Sequence, residues 1–229
     1  MQSVLNEKNA AIVSGKVANS PKLSHEIYGE GFYLFELEIQ RISGNYDRIP
    51  IMISERLMPI ADIVPGKYLF IEGQYRSHNM TKEKNSKLVL MVFAREVRFI
   101  DESLENSSDT IVLDGQGDIV PYNNMNVLLL DGTICREPVF RVTPLKREIC
   151  DILVAVNRLY NKSDYIPCIS WGRNARFCGT LHVGQRIKIS GRIQSRNYTK
   201  LLPNGDKVER TAYEVSALSV QTVTDAEET

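Results

Sequence analysis

Val183-Gly184-Gln185-Arg186-Ile187-Lys188-Ile189-Ser190-Gly191-Arg192-Ile193-Gln194-Ser195-Arg196-Asn197-Tyr198 is the stretch on which the fold turns. Ile187, Ile189, Gly191 and Ile193 fall on one face, with Arg186, Lys188, Arg192 and Gln194 on the other. That period of two is the signature of a half-buried β-strand. Downstream, Pro203-Asn204-Gly205-Asp206 is a turn signal, and Lys207 to Val223 reads as the strand that returns. Upstream, Val127 to Cys135, Ile149 to Tyr160 and Tyr165 to Trp171 are three further apolar, β-prone runs. Between the third and fourth strands, Gly172 to Thr180 holds the helix formers Arg173, Ala175 and Arg176.

The order β-β-β-α-β-β over roughly 100 residues is what a five-stranded OB barrel requires, with the helix plugging one end. The first half of the chain repeats the plan. Gly15-Lys16-Val17 leads to Pro21 as Gly132-Thr133-Ile134 leads to Pro138, at an offset of 117 residues. Arg41 and Pro50 match Arg158 and Pro167 at the same offset. One extra residue then gives an offset of 118, at which Gly66, Gly73, Ser77 and Asn79 match Gly184, Gly191, Ser195 and Asn197. At 118, Ala94, Glu96 and Val97 also match Ala212, Glu214 and Val215. A long internal period means that one structural unit is present twice. The expected strands of the first unit are Ala10–Ala18, Gly31–Ile42, Arg48–Ser54, Lys67–Asn79 and Ser86–Ile100, with a helix at Glu55–Ile63. The chain is therefore expected to be all-β with one short helix per domain: two tandem OB-fold five-stranded β-barrels. The expected divisions are a first barrel at 1–104, an acidic linker at 105–124 with a short strand at Thr110–Leu113, a second barrel at 125–224 and an acidic tail at 225–229.

The chain carries 28 Lys/Arg and 28 Asp/Glu, but they are unevenly placed. Residues 126–223 hold 15 basic and 8 acidic side chains, a net of +7, whereas residues 1–105 hold 13 and 14, a net of −1. A basic second unit fits either a solvated surface or a polyanion-binding groove. Aromatic residues favour the groove. Single-stranded nucleic acid is held by cations tracking phosphates and by rings stacking on unpaired bases. Tyr160 follows Arg158 at the end of one strand. Tyr165 and Trp171 bracket the next, six residues apart and so on one face. Tyr198 follows Arg192 and Arg196 and precedes Lys200. Arg158, Arg173, Arg176, Arg192, Arg196 and Lys200 are the candidate phosphate contacts. Leu201 and Leu202, at the base of the following hairpin, suit either strand closure or a partner contact.

The second unit resembles the OB domain of bacterial single-stranded DNA-binding proteins. The resemblance lies in Gly132-x-Ile134-x-x-x-Pro138, Ala155-Val156-x-Arg158, Ile166-Pro167-Cys168-Ile169-Ser170-Trp171-Gly172-Arg173-Asn174-Ala175, and the stretch Val183 to Tyr198. It implies that Tyr160, Tyr165, Trp171 and Tyr198, the rings already chosen, are the stacking positions. It also implies single-stranded DNA as the partner, with RNA left open because stacking and phosphate contacts do not read the 2′-hydroxyl. Four OB domains per assembly in the family imply a homodimer of this chain, with roles in replication, repair or recombination. In the first unit the corresponding positions are Ser43, Arg48, Ser54 and Met80, none aromatic, with Tyr46 and Tyr75 nearby but not equivalent. With its slight acidity, that unit is expected to serve assembly or scaffolding. The family's acidic-apolar recruiting peptide is not matched by Thr224-Asp225-Ala226-Glu227-Glu228-Thr229, so recruitment of repair enzymes by that route is not expected.

Enzymatic function is not expected. There is no phosphate-cradling glycine loop, His-Glu-x-x-His or Gly-x-Ser-x-Gly. Asp131, Asp151 and Asp164 stand far apart in sequence. Cys135, Cys150, Cys168 and Cys178 form no Cys-x-x-Cys pair, and His25, His78 and His182 are scattered, so no metal or cofactor is expected. No apolar run is long enough for a membrane span and the N-terminus lacks a secretory pattern, which points to a cytoplasmic, nucleoid-associated protein. The competing reading is a protein-docking OB module of primosome or assembly type, which has no need of four rings interleaved with arginines.

Overall fold

The computed structural model describes residues 8–82, 85–100, 110–113, 118–158, 162–201 and 205–223. The alternating stretch is strand β12, Arg186–Leu201, with Ile187, Ile189, Gly191 and Ile193 buried and the intervening residues half-buried or exposed. In chain order the first unit is β1 (Asn9–Val17), β2 (Lys22–Ile27), β3 (Glu30–Gln40), β4 (Tyr46–Ser54), β5 (Tyr68–Lys82) and β6 (Asn85–Phe99). The connecting segment carries a two-stranded hairpin, β7 (Thr110–Leu113) and β8 (Asp118–Pro121). The second unit is β9 (Asn126–Val142), β10 (Glu148–Asn157), β11 (Ser163–Trp171), helix α1 (Gly172–Cys178), β12, and β13 (Lys207–Thr222). The protein is all-β. Strand pairings close two five-stranded OB barrels, β1-β5-β6-β4-β3 back to β1 and β9-β12-β13-β11-β10 back to β9. Within each barrel one pairing is parallel, β4 with β6 and β11 with β13, and the rest are antiparallel.

The repeated residues are structural in origin. A Cβ on Gly73 or Gly191 would come within 2.2 or 2.4 Å of a backbone oxygen on the neighbouring strand, and both glycines sit at a β-bulge. At barrel closure, Gly15 and Gly132 are pressed as closely against Glu38 and Ala155. The barrels join edge to edge. β1 pairs antiparallel with β9, running from Asn9 opposite Leu130 to Val13 opposite Asn126. At the middle of this seam Ala11 lies opposite Leu128, its own repeat mate, so the two barrels are related by a pseudo-two-fold axis through that pair. One apolar cluster runs continuously through both barrels, from Ile51 and Leu69 to Ile166 and Ile189.

Three expectations are corrected. The helix expected at Glu55–Ile63 is only a 3-10 turn, Ile60–Asp62. Pro59 disfavours helical backbone at Met58, and its own ψ of 120° is extended. In the second barrel the expected helix is present, with Ala175 and Cys178 buried against the strands. Second, Ala94 is equivalent to Ala217, not Ala212. Gly73 pairs with Ala94 and Gly191 with Ala217, while Met52 lies beside Phe93 and Ile169 beside Ser216. The offset is therefore 123 in the last strand, because the β12–β13 hairpin is five residues longer than the β5–β6 hairpin. Third, β2 was not foreseen, and β9 continues past Cys135 to Val142.

Candidate nucleic-acid interface

β11 presents Tyr165 and Trp171 on the outer face of the second barrel, 46% and 38% exposed. Ile166, Cys168 and Ser170, at alternating positions, point into the barrel. The two rings are separated by about 20 Å of strand, with Pro167 and Ile169 between them. Cross-strand partners continue the face: Ala155 opposite Tyr165, Leu153 opposite Pro167, and Ile149 opposite Trp171. On the next strand, Arg136 lies opposite Leu153 and Arg141 opposite Ile149. Arg136 is exposed and has no ion pair among the described residues. These two cations were missed because β9 was read as ending at Cys135. The signal was the basic residue on either side of the apolar Val139-Phe140 pair.

The other candidates are divided by the fold. Tyr160 lies outside the described residues. Tyr198 is 37% exposed and stands on the β12–β13 arm opposite Arg210. That is five residues from Val215, where β13 meets β11, so the ring lies about 17 Å out along the arm. Arg173, Arg196 and Lys200 are exposed and have no ion pair among the described residues. Arg176 is exposed but pairs with Glu148 at 3.2 Å.

Arg158 and Arg192 belong to the joint between the barrels. Arg158 Nε lies 3.1 Å from Asp164, a carboxylate with no exposure. The Ser77 amide donates to Asp164 Oδ1 at 2.7 Å, and the Ser77 hydroxyl accepts from the Tyr165 amide at 2.8 Å. The pseudo-two-fold axis repeats this latch. Arg41 makes a bidentate pair with Asp47. The Ser195 amide donates to Asp47 Oδ1 at 2.7 Å, and the Ser195 hydroxyl accepts from the Arg48 amide at 3.0 Å. Arg192 sits at this second latch, where burial and then repulsion from Arg41 push its guanidinium below the usual value. Burial raises the Asp164 carboxyl, against the lowering effect of Ser77 and Arg158. Tyr75 is fully buried, and burial raises its hydroxyl well above the ordinary range. It is a core residue and not a surface ring.

The scattered acids are all paired: Asp131 with Arg186 at 2.8 Å, Asp151 with Arg141 at 2.8 Å, and Asp164 as above. Among the described residues no group of three His, Cys, Asp or Glu side chains is placed to hold a metal. Burial raises the Cys150 thiol to about 11 and the Cys168 thiol further, which leaves both as protonated core residues. No helix among the described residues is long and apolar enough to cross a membrane.

An OB barrel with rings and cations on its outer sheet face is the architecture of a single-strand-binding module. Residues 125–223 match the model of the single-strand binding protein family. Single-stranded DNA-binding protein A of Bacillus subtilis is 33% identical over 104 residues, 42% of this chain and 58% of that protein. Single-stranded DNA-binding protein 2 of Listeria innocua is 34% identical over 104 residues, 42% of this chain and 63% of that protein. The chain thus spans less than two thirds of the length of these relatives. The crystal structure of wild-type single-stranded DNA binding protein from Thermus aquaticus superposes with a TM-score of 0.68 at 18% identity, over 94% of this chain and 93% of that one. The tandem-barrel fold is therefore shared across both units.

Proposed function

We propose that this protein binds single-stranded DNA non-covalently and without regard to base sequence, through the outer face of its second barrel. The observation that carries this reading is Tyr165 and Trp171, exposed on one face of β11 beside Arg136. Tyr160, Tyr165, Trp171 and Tyr198 stack on bases. Arg173, Arg196, Lys200 and Arg136 contact phosphates. Arg176 joins them if the strand competes with Glu148, while Arg158 and Arg192 act from the joint. The protein performs no chemistry on the strand. The first barrel has no ring at the positions equivalent to the stacking set, and it supports the second through the two latches. A homodimer would present four barrels, and the setting is the cytoplasm, on nucleoid DNA under replication or repair.

Trp171 is the only tryptophan of the chain, so its fluorescence reports on one stacking position. Titration with a dT oligomer is expected to quench it strongly. A duplex of equal length is expected to quench it weakly, and salt to weaken the dT response. Quenching equal for duplex and dT overturns the stacking reading. Tighter binding of a matched RNA oligomer transfers it to RNA.

A further inference from the structure

The outer walls of the two barrels beside the seam are equivalent under the pseudo-two-fold axis, but they are built differently. On barrel 1 the Ser14 amide donates to the Met125 carbonyl at 2.8 Å, and the Ile100 amide to the Tyr68 carbonyl at 3.0 Å. On barrel 2 the Asp131 amide donates to the Lys8 carbonyl at 2.7 Å, and the Val223 amide to the Arg186 carbonyl at 3.0 Å. Lys8 therefore stands where Met125 stands, and Arg186 where Tyr68 stands. The repeat offset likewise sets Lys188 against Phe70. Barrel 1 fills this place: Ile12, Phe70, Ile100 and Met125 form a buried apolar cluster with Tyr68 packed against it. The Arg98 guanidinium closes over the Phe70 ring, 4.1 Å from its centroid.

Barrel 2 leaves the same place open. A pocket of about 430 Å³ is lined there by Lys8, Arg186 and Lys188, a volume within the range of small-molecule sites. At each of these three positions a cation stands where barrel 1 has an apolar or aromatic side chain. Asp131 is the sole acid among the described lining residues, and Arg186 holds it bidentate at 2.8 and 3.0 Å. Three cations less one carboxylate leave the pocket at +2. Cations gathered around a concavity repel one another and concentrate anions. Ser190 and Ser219, their hydroxyls 3.3 Å apart, and Gln221, opposite Lys188, add neutral donors. Ammonium, guanidinium and hydroxyl donors converging on one place suit phosphate oxygens. β12, at the centre of the pocket, pairs with neither β10 nor β11, so the pocket lies across the barrel from Tyr165 and Trp171. Lys8 reaches it from the residue before β1, so both barrels build the site.

We propose that this pocket is a separate ligand site that takes a small oligophosphate: pyrophosphate, free or as the tail of a nucleoside diphosphate. Lys8, Lys188 and Arg186 balance its charge, and Ser190, Ser219 and Gln221 donate to its oxygens. Its occupancy does not depend on strand binding. The test is isothermal titration of the full-length protein with pyrophosphate, ADP, adenosine and sulfate. Pyrophosphate and ADP are expected to bind once per chain, sulfate at least tenfold more weakly, and adenosine not at all. Tighter binding of ADP than of pyrophosphate assigns the site to a nucleotide, and equal binding assigns it to the free oligophosphate. Lys8→Gln and Lys188→Gln are each expected to weaken pyrophosphate at least fivefold and to leave the quenching of Trp171 by dT unchanged. Both side chains are exposed, so neither change disturbs the core. Lys8→Met with Lys188→Phe, which copies the filling of barrel 1, is expected to abolish pyrophosphate binding. No binding by wild type overturns the site, as does wild-type affinity in both glutamine variants or sulfate binding as tight as pyrophosphate. Displacement of pyrophosphate by a saturating dT oligomer also overturns it, since the cations then serve the strand. Pyrophosphate binding without any response to dT leaves the site standing and removes the strand-binding reading alone.

Discussion

At the level of single residues, side chains of one type divide by what they touch. Trp171 and Tyr165 point outward, while Tyr75 is sealed in the core. Trp171→Ala is expected to cost about 1–3 kcal/mol of binding, the range for one base-stacking ring, with a smaller effect on the thermal midpoint than a core truncation because the ring lies outside the core cluster. Equilibrium binding and a melting curve on one sample check both halves. Asp164 makes a pH prediction. Its carboxyl is raised in the folded state by burial, so between about 3.9, the unfolded value, and that raised value the folded chain holds more proton than the unfolded chain. Its contribution therefore falls as pH rises through that window. Asp164→Asn keeps an acceptor for the Ser77 amide and removes the titration. The stability of wild type minus that of Asp164→Asn is expected to shrink from pH 4 to pH 7 in urea denaturation. A difference that grows with pH contradicts the sign.

At the level of elements, strands were legible where alternation was strict, as in β12, because one face is core and the other is not. The helix of the second barrel was legible from its helix formers, whereas Pro59 limited its counterpart to a 3-10 turn. The register of the last strand was not legible. Ala94, Glu96 and Val97 align with Ala212, Glu214 and Val215 by letter, but the β13 hydrogen bonds place Ala217 in that role. A hairpin lengthens without disturbing the barrel beneath it, so sequence identity there carries no register information. The bulge glycine does carry it. A Cβ at Gly191 would meet the Ser216 carbonyl oxygen at 2.4 Å. Gly191→Ala is therefore expected to destabilise by about 1–3 kcal/mol, as overpacking does, read as a lower urea midpoint at unchanged slope. The outward face shared by Tyr165 and Trp171 was legible because it needed only residue type and strand parity. The roles of Arg158 and Arg192 were not, because each latch is completed from the other barrel, by Ser77 at the Arg158–Asp164 pair and by Asp47 and Arg41 beside Arg192.

For the whole molecule, the repeat is a two-fold assembly folded into one chain. Arg41 and Arg158, and Ser77 and Ser195, recur because each latch needs an arginine, a buried aspartate and a serine on the opposite barrel. The β1–β9 seam shows how the halves have diverged to fit each other. Ala10 and Ala11 face Leu129 and Leu128, small against large. Pairing β9 with a second β9 in the same register would set Leu128 against Leu128 with Val127 against Leu129 on either side, and β1 with β1 would leave Ala11 against Ala11 with Ala10 against Ile12 on either side. The first overpacks and the second leaves a gap, and both cost stability. Residues 1–105 and 122–229, prepared separately, each expose one unpaired strand edge, a surface prone to pairing. Mixed at equal concentration, they are expected to form a one-to-one complex in preference to either homodimer. Light scattering with mass analysis distinguishes the three species. Ala11→Leu in the first fragment is expected to weaken that complex, because it restores the leucine-against-leucine clash. If 122–229 instead remains a homodimer in the presence of 1–105, size complementarity does not direct the pairing and the latches alone hold the barrels in register.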